Sequence, residues 1–458
     1  MKRHRILLLV VIMLCVSFNS GCGVRKGSEG NTKEEISINV ITTFAGEDGN
    51  AKNYKEAISA FEEKTGVKIY DSSVTSDEKF KARIETDFQA GAEADVLFFF
   101  QGADADSFIR QGKIVSIEEI REVYPDYATN MNEEDIRTSA VDGKKYAVPV
   151  NGYWEALFCN KEVLEVAGVE VPGDDYTWEK FLEDCEKIKK AGYTPIAAAL
   201  GDIPHYWWEY SVFNHTAKGT HTEIPEDVES GNGPGWIDGM EDIKELYEKG
   251  YFPKNTLSVK DEETFGLFTS GGAAFLLDGS WKVGSIVSAC QTDPDDDATL
   301  ECDKLNKFTV TYAPAKGERK ATDLIGGISM GYYISRKAWD NEAKRDIVVE
   351  FVKYMTTDRM VADFAEHTAS ALKQMPDANP KSYNSLQMKA FEMLDGATSL
   401  NDAVQDFFNG ACRGSMFEGM PQIVTGEVTA KEAVSKGLSI YAEQKKEDNL
   451  EDRGTCLK

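Results

Sequence analysis

Aromatic and acidic side chains carry the chemistry that this chain advertises. Six of its seven tryptophans, Trp154, Trp178, Trp207, Trp208, Trp236 and Trp281, fall between residues 154 and 281. Several stand in stretches that read as loops beside Gly, Pro or Asn: Asn151-Gly152-Tyr153-Trp154, Pro204-His205-Tyr206-Trp207-Trp208-Glu209-Tyr210, Gly235-Trp236 and Asp278-Gly279-Ser280-Trp281. A flat indole suits the C–H face of a sugar ring. The ring's hydroxyls then need polar partners, here Glu155, Glu209 and Asp278, and that pairing suits a carbohydrate cleft. The plainer reading is that any one of these tryptophans packs between elements. Trp178, on a helix stripe, and Trp339, opening a helix, read as core.

Catalytic signals are missing by contrast. There is no GxGxxG after a strand, no GxxxxGK[ST], no GxSxG and no HExxH. The five histidines, His4, His205, His215, His221 and His367, are scattered, and no spacing singles out two carboxylates as a glycosidase pair. No CxxC or His-rich signature appears, so neither metal nor cofactor is expected. Asp293, Asp295 and Asp297 share the spacing of a calcium loop, but Ala298 stands where glycine is required and Lys304 where the bidentate Glu should be. That stretch reads as a solvated acidic loop.

The first 22 residues specify a location. Lys2, Arg3 and Arg5 precede an apolar run from Ile6 to Val16, then Ser20-Gly21-Cys22, the pattern of an export signal. The run is shorter than the ~20 residues of a spanning helix. Ser-Gly-Cys resembles a lipobox in which Cys22 becomes the lipidated first residue, although Asn19 replaces the usual aliphatic residue. The alternative is ordinary secretory cleavage nearby, with Cys22 left as a thiol. Residues 22–35, rich in Gly, Ser, Lys and Glu, read as a flexible tether. The expected location is the outer face of a cell membrane, held through the lipid alone.

With 458 residues the chain has room for two domains. Losing Lys2, Arg3 and Arg5 with the signal takes the formal net charge from −27 to −30. Such a surface repels phosphate backbones and excludes nucleic acid as a partner. Of the cysteines, Cys159 and Cys185 lie in apolar contexts and read as buried thiols. Cys290 and Cys302 bracket an acidic insert, where a disulfide and two thiols are equally compatible.

The elements that must position these side chains alternate between strand and helix. Ile36, Ile38 and Val40 alternate as a strand, and Tyr54, Ala57, Ile58 and Phe61 share a helix face. Val67-Lys68-Ile69 is a second strand, Phe80 to Phe88 a helix, and Asp95 to Phe100 a nearly all-apolar strand of the kind buried on both faces. A second series holds strands at 156–159 and 273–277, helices around 178–188 and 240–247, and strands at 308–312 and 328–334. From Asp340 onward the chain is mainly helical. Parallel βα units and an α/β layer architecture follow.

Several segments in this order resemble a known family. They include Phe61-Glu62-Glu63-Lys64-Thr65-Gly66-Val67, Ala94-Asp95-Val96-Leu97, Val141-Asp142-Gly143-Lys144-Lys145-Tyr146-Ala147-Val148-Pro149 and Leu157-Phe158-Cys159-Asn160-Lys161. Tyr176-Thr177-Trp178-Glu179-Lys180-Phe181, Gly272-Ala273-Ala274-Phe275 before Gly279-Ser280-Trp281, and Gly326-Gly327-Ile328-Ser329 complete the set. Over about residues 36–440 the chain resembles the extracellular solute-binding proteins of ABC importers, in the sugar-binding branch that includes the maltose-binding proteins.

That resemblance implies a two-lobe, periplasmic-binding-protein-like α/β fold of type II with a mostly helical C-terminal section. It implies lobe 1 at 36–148 and 310–364 and lobe 2 at 149–309 and 365–450. The lobes would close on ligand to form the surface that the permease reads. Loops of lobe 1 would supply Phe44, Glu47, Gln101 and Asp104. Lobe 2 would supply Trp281 and Trp207 or Trp208, and the aromatic and acidic pattern adds Trp154, Glu155, Tyr210, Trp236 and Asp278 to the expected site. Gly326-Gly327 would let backbone amides reach the ligand. Gln405 to Phe417 matches the family poorly, which leaves Phe408 and Arg413 outside the expected site. The implied function is a lipid-anchored, monomeric protein that captures a sugar or oligosaccharide for an ABC permease. The alternatives are the same fold binding a polyamine or other cation through its acidic residues, or a secreted glycan hydrolase.

Overall fold

Residues 36–100 build a small sheet from the expected alternation. Strands β1 (Ser37–Ile41), β2 (Lys68–Asp71) and β3 (Val96–Phe100) lie parallel in the order β2-β1-β3, and helices Ala51–Thr65 and Glu78–Ala90 connect them. The first helix buries Tyr54, Ala57 and Phe61 and stops at Gly66, whose φ of 70° suits glycine and whose N–H returns to the Glu62 carbonyl. β3 is apolar throughout because both of its faces are covered. Val96 and Phe98 join Ile38 and Val40 in one core, while Leu97 and Phe99 join Phe80, Ile84 and Phe88 in another.

This computed structural model describes residues 36–455 apart from 47, 77, 292–302, 366–367, 377–382 and 409. The export signal, Cys22, the tether, Glu47 and the acidic insert with Cys302 therefore lie outside the described residues. No helix among the described residues is long and apolar enough to cross a membrane.

A larger sheet follows, with β4 (Tyr153–Asn160) at its centre. β5 (Thr194–Ile196), β6 (Ala273–Gly279), β7 (Phe308–Thr311) and β8 (Asp323–Gly327) belong to it. The chain then returns to the first sheet as β9 (Met330–Ile334), antiparallel to β3, and comes back once more as β10 (Ser399–Asn401) beside β8. One edge of β4 is shared, its first half pairing with β8 and its second half with β7. The main order is β10-β8-β4-β6-β5.

Three details differ from expectation. The return to the first sheet falls between Gly327 and Met330 rather than at 310, because β7 and β8 both bond to β4. β8 is a separate strand that its short, glycine-ended sequence did not announce. The segments around Trp207, Trp208 and Trp236 are helices, His205–His215 and Gly233–Glu248, and not loops. The first of these buries every residue from Trp207 to Asn214, so no polar face marks its period.

Candidate ligand cleft

The ends of β3, β4 and β6 converge with the C-terminal segment on a cluster of buried charge. On the side of the first sheet, β3 runs into Gln101, which is buried, and Asp104, whose side chain is 8% exposed. Gly102 between them has a φ of 79°, and a Cβ there would lie 2.8 Å from the Asp406 carbonyl oxygen and 3.0 Å from Arg137, so only glycine fits. Asp104 accepts a hydrogen bond of 2.5 Å from Arg413 and lies 3.4 Å from Lys81. Burial pushes its carboxyl up, but Lys81 and Arg413 outweigh that and hold it below its ordinary value. Arg413 is itself 1% exposed and also donates to the carbonyls of Gln405 and Phe408. Arg137 reaches Asp402 at 3.2 Å and Asp406 at 3.7 Å and lies over the Phe407 ring. These contacts join the first sheet to a segment whose Phe408, Cys412 and Met416 sit in the core of the second.

On the side of the larger sheet three carboxyls are buried. Among the described residues the Oε2 of Glu155 on β4 is sealed from solvent without a hydrogen-bond partner. Burial pushes its carboxyl well above the ordinary carboxylate range, and Glu209, Asp278 and Asp406 add to the shift. Glu209 accepts one backbone N–H, from Gln405, leaving Oε2 unpartnered. Burial, with Asp406, pushes Glu209 up to about 8. Asp278 of β6 is pushed up to about 7 by burial, against the pull of Lys282, which sits 3.6 Å from it and 2.9 Å from Asp261. The Gln101 amide nitrogen is likewise buried and unfilled.

Beside these carboxyls are two partly exposed aromatics, Tyr206 and Trp281, with ring centroids 6.0 Å apart. Trp281 folds back over Gly279, where a Cβ would lie 2.1 Å from the indole. The loop after β1 closes down on the helix Lys282–Cys290, and a Cβ on Gly284 would meet the Gly49 Cα at 2.8 Å.

The expected site residues thus divide. Asp104, Glu155, Asp278 and Trp281 converge with Glu209, through direct contact or electrostatic influence that they share, and Gln101 stands just before Gly102 and Asp104 at the end of β3. Phe44 is not beside them: it packs against Phe98, Tyr54 and Phe364 in the first core. Trp154 stacks on Phe158, Trp207 on Phe181, and Trp208 meets Trp236 edge-on and donates to its carbonyl. All four of these tryptophans are at most 2% exposed, so they have no face free for a ligand in this conformation. The Tyr210 hydroxyl donates to the Glu155 carbonyl and accepts from the Ile325 N–H, tying β4 to β8. Gly326 is glycine because Tyr153 and Trp154 leave no room for a Cβ, and Gly327, at φ 151°, lies beside Asp402. Tyr206, Lys81, Arg137, Asp406 and Arg413 were missed. A signal existed for Arg413, an arginine among Cys412, Met416 and Phe417, where an unpaired charge would be costly.

Comparison with known proteins adds lineage to this geometry. The family model of the bacterial extracellular solute-binding proteins matches residues 46–362. A galactooligosaccharide-binding protein of Bacillus subtilis is 24% identical over 289 residues, which are 61% of this chain and 64% of that protein. The aligned region thus spans somewhat less than two thirds of that relative. Among solved structures, a chitin oligosaccharide binding protein superposes with a TM-score of 0.73 at 22% identity, covering 90% of this chain and 99% of that one. The maltose/maltodextrin-binding domain MalE of Bdellovibrio bacteriovorus, bound to maltotriose, gives a TM-score of 0.66 at 16% identity, covering 90% of this chain and 99% of its own. The type II two-lobe fold is shared with both.

Proposed function

Because this chain belongs to the bacterial extracellular solute-binding proteins, we propose that it captures a sugar or oligosaccharide in the cleft between its two sheets and hands it to the membrane permease of an ABC importer. The family and the matching folds are those of binding proteins and not of enzymes. One observation carries the choice of cargo: the partly exposed pair Tyr206 and Trp281 stands beside buried carboxyls, of Glu155 and Glu209, whose oxygens have unused hydrogen-bonding capacity. A ring stacked on the aromatics would bring hydroxyls to those oxygens, and filling buried acceptors is where binding energy concentrates. The named ligands of the relatives, galactooligosaccharide, chitin oligosaccharide and maltotriose, support the same class.

In this reading one lobe comprises 36–148 with about 328–372, and the other 149–327 with about 383–450. The hinge consists of the crossings at 148–153 and 328–329. Asp104 with Arg413, and Arg137 with Asp402, are then contacts of the closed state. Cys22 carries the lipid, residues 23–35 are the tether, and the protein works as a monomer on the outer face of the membrane. The test is a fluorescence titration of the chain with mono- and oligosaccharides. Saturable quenching by one glycan class is the expected result, and Trp281→Ala should weaken it at least tenfold. A panel without response, or a Trp281→Ala variant of unchanged affinity, would remove the cargo or the site respectively.

A further inference from the structure

We infer that the cargo of this cleft carries a protonated amine, seated against Glu155 and Glu209. The inference rests on the reading of the cleft as a saccharide site and names the chemical class within it, an amino sugar.

Charge matching within the cleft favours an amine. Each basic side chain of the cleft is already engaged with an aspartate. Lys282 lies on Asp261 and Asp278, Arg413 and Lys81 on Asp104, and Arg137 on Asp402 and Asp406. None of the ion pairs among the described residues reaches Glu155 or Glu209. Both are at most 1% exposed, and each has an oxygen sealed from solvent without a hydrogen-bond partner. The charges acting most strongly on Glu155 are all acidic, from Glu209, Asp278 and Asp406. Lys81 and Arg413 do act on Glu209, but at longer range, since both are committed to Asp104.

An ionised carboxylate left alone in such a place is costly, and an ammonium seated against it supplies the opposite charge that favours the ionised form, the released proton passing to solvent. A neutral sugar presents hydroxyl donors and leaves that excess of acid unmatched. An ammonium offers three N–H donors and a positive charge, and charge-assisted hydrogen bonds are roughly twice as strong as neutral ones. The Gln101 amide nitrogen, buried and without a hydrogen-bond partner, can donate to a sugar oxygen but not to an ammonium. With Tyr206 and Trp281 alongside, the arrangement fits a sugar ring bearing one amine.

The experiment is calorimetric titration of the full-length chain at neutral pH with three matched saccharide probes, glucosamine oligosaccharides, their N-acetylated counterparts and the corresponding cello-oligosaccharides, and with putrescine as a sugar-free amine. The amine form should bind at least tenfold more tightly than either neutral form, and Glu155→Gln and Glu209→Gln should each cut that advantage below about threefold. Equal affinity for amine and neutral forms overturns the inference and leaves saccharide capture standing. Binding of putrescine with no response to any saccharide upholds the amine and overturns the sugar. The comparison of probes on the unaltered chain needs no variant to fold, and thermal melts of the two Gln variants verify that their cleft is intact.

Discussion

At the scale of single residues, burial decides role. Six tryptophans clustered in the sequence look alike as candidate platforms, yet only Trp281 with its neighbour Tyr206 keeps a partly open ring at the cleft. Trp207→Ala should therefore act on stability, at a cost of about 3–5 kcal/mol, the usual range for emptying a core site of an aromatic ring. A denaturant melt that left stability unchanged would contradict its place in the core. Glu209 gives a prediction of opposite sign. Its carboxyl is pushed up to about 8 by burial and by Asp406, so the folded protein holds that proton more tightly than the unfolded chain, whose ordinary value is 4.5. The stability it contributes is complete below pH 4.5 and is lost as pH rises toward 8. His221, lowered by burial, works the other way and withdraws stability as pH falls below 6.5. Comparing the parent with Glu209→Gln cancels the His221 effect. The variant should gain stability relative to the parent steadily from pH 5 to pH 8, and melts that stay parallel across that range would refute the assignment. The same substitution should weaken binding of an amine cargo, so stability and capture oppose each other at this one side chain.

At the scale of elements, the packing of helix His205–His215 on helix Gly233–Glu248 supports the larger core. Two glycines one turn apart make the approach possible. A Cβ on Gly235 would lie 2.8 Å from the Thr216 methyl, and one on Gly239 would lie 3.1–3.3 Å from Val212 and Trp208. Gly239→Leu should force the helices apart and lower stability by at least about 1–3 kcal/mol, as overpacking does. Thermal denaturation tests this, and an unchanged midpoint would show that the helices have slack. Periodicity found the helices with one polar face, such as Ala51–Thr65 and Trp178–Lys190, but could not find His205–His215. A helix enclosed by a sheet and another helix has no polar side, so it reads as an apolar stretch without a period. β8 was missed for a related reason: its Gly326-Gly327 end looks like a turn, whereas Gly326 is required by the close approach of β4.

At the scale of the whole molecule, two sheets with separate cores are joined by crossings and by a few ion pairs. Arg137 links the first half to Asp402 and Asp406 of the second. On the lobe reading, Arg137→Gln should shift the population toward the open form and lower apparent affinity several-fold, since affinity scales with the fraction already competent to close. A larger radius of gyration in the unliganded variant, measured by small-angle scattering, should accompany the loss. Affinity lost with no change in radius would assign Arg137 to the ligand instead of to closure. The alternation of strand and helix, the doubly covered β3, the lineage and several of the cleft carboxyls were all legible in the amino-acid sequence. Each depends on local periodicity or on short segments in a fixed order, and neighbouring residues suffice to express that information. Which tryptophans are core, where the chain returns to the first sheet, and the arrival of Arg413 and Asp406 opposite Asp104 and Gly102 were decided only by the tertiary structure. Those features join residues some 300 positions apart, and burial and ion pairing at such a distance are properties of the packed chain.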